Sequence, residues 1–158
     1  MPLLRATVKE RAAAYAKLRK LTIEKEFGGG YDGRVFQTSK MTAIKVFGYS
    51  ELYDRELEIY RYMNKWEIRQ VDAFHIPWLI AFDKSLAIIE MSVVMPPFIV
   101  DFASALIDRE IERDEEWHAK MMDDFEDDWP LVRHAIWRLE DEHGIYIADV
   151  HPRNFKCR

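Results

Sequence analysis

The chain has 158 residues, 49% of them apolar and 13% aromatic, and carries a net charge of −5. That is the length of one domain with enough apolar surface for a core, which excludes global disorder. One cysteine, Cys157, builds no disulfide framework and fits a reducing, cytosolic setting, and no apolar window reaches the length of a secretory signal or a membrane span.

Residues 1–20 hold six bases and one acid, Glu10. Such an arm can meet nucleic acid or an acidic partner, but a solvated helix face is the plainer reading, and nucleic acid is not expected as a partner. Thr7 and Glu10 have capping-box spacing, and Val8, Ala12, Tyr15 and Leu18 repeat at helical intervals, so a helix is predicted over 8–20. Three short strands follow, LTIEKEF, RVFQTS and MTAIKVF, the first two separated by glycines. Ser50 is placed to cap the next helix, ELYDRELEIYRYMNKW. WLIAFD and SLAIIEMSV read as two more strands, and Pro96-Pro97 then breaks the chain. Beyond it the composition turns acidic, with twelve acids against three bases over 101–130. The segment 99–122 is predicted as one long helix and 130–143 as another ending before Gly144, with IYIADVHPRNF as strand plus loop. The expected division is a basic N-terminal helix over 1–20, a sheet lobe over 21–95 and a mainly helical part over 96–158.

GGGYDGRV has the form G-x-G-x-x-G-x-V through Gly28, Gly30, Gly33 and Val35. A dinucleotide fold needs these glycines to open a helix and an acid about 20 residues on, but a strand follows instead, and Lys45 stands where the acid would be wanted. No Gly-Lys-Ser/Thr follows, so a Walker-type loop fails too. A β-hairpin that brings backbone N–H groups to phosphate oxygens fits, as does an ordinary glycine-rich hairpin tip. Lys45 in TAIKVF can place an ammonium on those phosphates, or point to solvent by strand alternation. Glu56 in the next helix can hold Lys45 by an ion pair, with Glu58 as a fallback on another face. Asp149 and Asn154 form D-x-x-x-x-N, where an aspartate can take the proton of an attacking hydroxyl and an asparagine oxygen can bind Mg²⁺. His151 can reach a transferred phosphate or bond within its own loop.

In this order the motifs resemble the protein-kinase-like superfamily over residues 22–155. GGGYDGRV resembles its nucleotide-covering loop, AIK its strand lysine, ELEIYRYM the helix of the partner glutamate, IIEMSVV the segment linking the lobes, and GIYIADVHPRNF the catalytic loop. The Asp-x-His-Pro-x-Asn form is closer to the aminoglycoside-phosphotransferase-like branch, since protein kinases carry lysine at the position of His151. Ile147-Ala148 replaces the His-Arg of many protein kinases, so control through an arginine is not implied. The resemblance implies an α+β fold with a five-stranded antiparallel small lobe, one helix and a reduced, mainly helical large lobe. It implies ATP and Mg²⁺ as cofactors and a phosphate acceptor of unknown identity. Asp149 is then the base, Lys45, Glu56 and His151 assist it, and Asn154 is a metal ligand. Gly28, Gly29, Gly30, Gly33, Val35, Ala43, Lys45, Ile89, Glu90, Met91 and Val93 would line the nucleotide. No Asp-Phe-Gly motif, whose aspartate is the main Mg²⁺ ligand, follows Asn154. The alternative expectation is therefore a catalytically impaired scaffold, with a second copy or a protein partner covering apolar surface around Leu131, Ile136, Trp137 and Leu139.

Overall fold

A computed structural model describes residues 6–158; Arg5, one base of the N-terminal arm, lies outside the described residues. Helix α1 (Val8–Arg19) starts at Thr7, whose hydroxyl accepts from the Glu10 N–H at 3.1 Å while the Glu10 carboxylate accepts from the Thr7 N–H at 2.8 Å. This capping box satisfies two backbone donors that the first turn leaves orphaned. The strands β1 (Ile23–Gly29), β2 (Gly33–Thr38) and β3 (Thr42–Phe47) follow, then α2 (Ser50–Lys65), two short strands β4 (Gln70–Val71) and β5 (Phe74–His75), and β6 (Leu79–Asp83) and β7 (Ile88–Ser92). Five of these strands form an antiparallel sheet in the order β1-β2-β3-β7-β6. Ser50 is the first helical residue rather than the cap: Tyr49 holds the cap position and no side chain bonds there.

Side-chain alternation along β3 sorts the sheet into two faces. Ala43 and Phe47 pack with Tyr53, Leu57 and Tyr60 of α2, and Lys45 shares their face. Ile44 and Val46 pack with Ala12, Tyr15 and Ala16 of α1. The N-terminal helix is thus docked on the sheet, not wholly solvated. A carboxylate on the α1 face fixes the docking. Glu90 of β7 is 1% exposed and accepts hydrogen bonds from Tyr15 Oη at 2.8 Å, Arg19 Nε at 3.1 Å and Thr42 Oγ1 at 2.9 Å.

The predicted long helix over 99–122 is not formed. In its place stand β8 (Phe98–Ile99), β9 (Ala105–Ile107) and an irregular stretch, and a helix α3 begins only at Glu115 and runs to Phe125. Ile99, Phe102, Ala103 and Leu106 imitate a helical repeat, but distant pairings override it. β8 pairs antiparallel with β11 (Phe155–Lys156), and β9 pairs antiparallel with β10 (Ile145–Ile147). One turn of 3₁₀-helix leads from α3 into α4 (Trp129–His143), which ends at Gly144 in the left-handed region at φ 65°. Expected apolar surface on α4 is only half present. Ile136 and Leu139 are buried in the core that also holds α2, whereas Leu131 and Trp137 are 39% and 54% exposed. No helix among the described residues is long and apolar enough to cross a membrane.

Candidate functional site

The glycines shape a tight hairpin. Gly28 and Gly29 belong to β1, opposite Val35 and Arg34, and the Gly30 N–H donates to the Gly33 carbonyl at 3.0 Å to close the tip. At Gly33 any Cβ would run into the Val46 carbonyl, so only glycine lets β2 lie this close to β3. Val35 pairs with Lys45 in register and packs into the α2-side core.

Lys45 is 6% exposed, and its Nζ lies 2.7 Å from Glu56 Oε2 and 3.3 Å from Asp101 Oδ1. Burial alone would depress this ammonium, but Glu56 and Asp101 hold its pKa above the ordinary lysine value. Glu56 is 1% exposed, and its other oxygen accepts from the Phe102 N–H at 3.1 Å. Burial pushes the Glu56 carboxyl up, against the pull of Lys45 and of that N–H. With hydrogen bonds donated to both of its oxygens, its geometry is that of a carboxylate.

Asp101 is the residue that sequence reasoning missed. It sits just after β8 in the left-handed region at φ 67°, an uncommon state for a residue with a side chain. The neighbouring Phe102 is fully buried, edge-on to Tyr60 of α2 at 5.7 Å. Phe102 thereby anchors in the core the backbone that carries Asp101. The expectation of a missing Asp-Phe-Gly aspartate concerned acids after Asn154, and Asp101 lies before it, beside Lys45.

The Asp149 loop is braced against the same segment. The Asp149 N–H donates to Ser104 Oγ at 3.0 Å, and the Val100 N–H donates to the Asn154 carbonyl at 2.9 Å. The Asn154 amide NH₂ donates to Asp149, at 3.2 Å to its carbonyl and 3.3 Å to its carboxylate, and Asn154 Oδ1 has no donor among the described residues. His151 bonds within its own loop: its Nδ1 accepts from the Arg153 N–H at 3.1 Å.

The expected nucleotide-lining residues divide between the two faces. Ala43, Ile89 and Met91 lie on the Lys45 side, Ile89 opposite Lys45 and Met91 opposite Ala43. The Glu90 side chain lies on the α1 face, occupied by Tyr15, Arg19 and Thr42. Backbone positions from Ile88 to Ser92 pair with β3, so the chain leaves the sheet only from Val93 onward.

No protein-family model matches the sequence, and no curated protein matches it. Among solved structures, the chain is similar to the aminoglycoside phosphotransferase APH(2'')-Ib bound to ADP, at 20% identity over 57% of this chain and 29% of that one, with a TM-score of 0.43. It is also similar to APH(2'')-IIa in a ternary complex with streptomycin and ATP, at 18% identity over 73% and 35% of the two chains and a TM-score of 0.42. A gentamicin complex of APH(2'')-IIa gives 17%, 72%, 34% and 0.41. The chain spans about a third of the length of these structures.

Proposed function

We propose that this chain binds ATP and transfers its γ-phosphoryl group to a hydroxyl acceptor. The observation that carries the reading is the Lys45 ammonium held between Glu56 and Asp101, on a segment to which the loop of Asp149 and Asn154 is hydrogen-bonded. Such transfer is mostly positioning and charge stabilisation, which fixed charges in a partly dry site supply well. Lys45 would hold phosphate oxygens under the glycine hairpin, and Glu56 would keep its ammonium aimed there. Asp149 would accept the proton of the acceptor hydroxyl as the new oxygen–phosphorus bond forms and the bond to the β-phosphate oxygen breaks, releasing ADP. Asp101 and Asn154 Oδ1 offer the oxygen ligands that a Mg²⁺ ion takes, and a cation held there would neutralise phosphate charge. Among the described residues no group of three or more His, Cys, Asp or Glu side chains is placed to hold a metal ion, so waters and phosphate oxygens would have to supply the other ligands.

Asp101 supports the catalytic reading over that of a binding-only scaffold, because it offers the carboxylate on which that alternative turned. The test is turnover of γ-labelled ATP with Mg²⁺, water and a panel of sugars, amino sugars and seryl peptides serving as acceptors. Asp149→Asn and Asp101→Asn are each expected to lower turnover about 10²-fold or more. Turnover unchanged in Asp149→Asn removes the base assignment, and no turnover with any acceptor removes the reading.

A further inference from the structure

The hairpin tip carries a carboxylate of its own, Asp32, which the reading above leaves without a role. Its Oδ2 lies 4.0 Å from Lys45 Nζ, at the third corner of a carboxylate set that Glu56 and Asp101 complete. The tip is held in that pose from outside the site. The Gly48 N–H donates to the Asp32 carbonyl at 3.1 Å, and the exposed Tyr31 ring stacks on Tyr49 at 5.1 Å. Burial and the nearby Asp101 and Asp149 raise the pKa of the Asp32 carboxyl, against the pull of Lys45. It therefore sits among charges of its own sign, and Lys45 is the cation that draws it.

We infer that Asp32 occupies the place where a nucleotide phosphate would meet Lys45, so that the site discriminates against metal-free nucleotide and takes up nucleotide together with a divalent cation. This rests on the phosphotransfer reading. One ammonium faces three carboxylates, so Lys45 has no charge to spare for a bare polyphosphate. Arriving phosphates would displace Asp32 from Lys45 yet remain beside it and Asp101. A cation travelling with the phosphates reverses the sign of that encounter, because the displaced carboxylate then faces positive charge.

The experiment is calorimetric titration of the full chain with ADP, once with EDTA and once with Mg²⁺, in the wild type, Asp32→Asn and the charge-keeping Asp32→Glu. The readout is the ratio of the two dissociation constants within each protein, which a change in overall stability does not move. Wild type is expected to bind ADP much more weakly in EDTA. Asp32→Asn is expected to shrink the ratio about tenfold, mostly by tighter metal-free binding, and Asp32→Glu to keep it. An unchanged ratio in Asp32→Asn, or equal loss of discrimination in Asp32→Glu, overturns the inference while leaving the nucleotide site standing. Absence of ADP binding in every arm removes both this inference and the reading on which it rests.

Discussion

Removing the Glu56 carboxylate tests how the site is held together. Glu56→Ala leaves Lys45 buried with Asp101 as its nearest carboxylate, and leaves the Phe102 N–H without an acceptor. Breaking a buried ion pair from one side costs about 3–5 kcal/mol, because the remaining charge stays desolvated. Asp101 at 3.3 Å offsets part of that, so a loss of about 2–4 kcal/mol is expected for Glu56→Ala. For a domain of this length the corresponding fall in Tm is about 5–15 °C. Glu56→Gln keeps an acceptor for Phe102 and should cost less, about 1–2 kcal/mol. Lys45→Met alone strands Glu56 in the same way, but the double variant removes both charges together. Its cost is expected to fall well below the sum of the two single losses. Urea unfolding of the four proteins measures this. Additive losses, or Glu56→Ala within about 0.5 kcal/mol of wild type, would refute a desolvated pair at this position.

Three further outcomes follow from the packing. Glu90→Ala leaves Tyr15, Arg19 and Thr42 without their shared acceptor, so a loss of about 2–4 kcal/mol is expected, with faster amide exchange along α1 than along α2; equal protection of the two helices would contradict the docking role. The Tyr53 hydroxyl is buried with no hydrogen-bond partner among the described residues, and burial pushes its pKa up to about 12. Tyr53→Phe is therefore expected to be neutral or stabilising by up to about 1 kcal/mol, and a clear loss in thermal melts would reveal a partner for the hydroxyl. Asp72 accepts from Arg138 at 2.6 Å and faces His134 Nδ1 at 2.7 Å, tying α4 to the turn between β4 and β5. Burial would raise its carboxyl, but those two partners hold it below the usual aspartate value, so its contribution is present above the unfolded pKa and lost as pH falls through the folded one. Asp72→Asn is expected to cost about 1 kcal/mol at pH 7, with the gap between the two unfolding curves closing as pH falls through the lowered folded pKa.

What the sequence showed depended on the reach of the interaction. The glycine hairpin, the lysine strand and the glutamate helix lie within residues 23–65, and each carries its own period or turn signal. The capping box of α1 and the glycine stop of α4 are local as well. Asp101 was hidden because β8 and β9 are two and three residues long, and their partners lie near the end of the chain. Without those partners, Ile99, Phe102, Ala103 and Leu106 look like one face of a helix. The docking of α1 was hidden for the same reason, since Tyr15 and Glu90 are 75 positions apart. A glutamate in an apolar strand gives no sign of which face it occupies until the strand's register is known.

The most direct measurement is a thermal-shift titration with ATP in the presence of Mg²⁺, each protein judged against its own ligand-free Tm. A ligand at 100 times its dissociation constant adds about 2.7 kcal/mol to the folded state, which for this length raises Tm by about 5–10 °C. Wild type is expected to show that rise, Asp101→Asn a smaller one, and Lys45→Ala none. No rise in the wild type at millimolar ATP and Mg²⁺, or an undiminished rise in Lys45→Ala, would contradict a nucleotide site built on Lys45, Glu56 and Asp101.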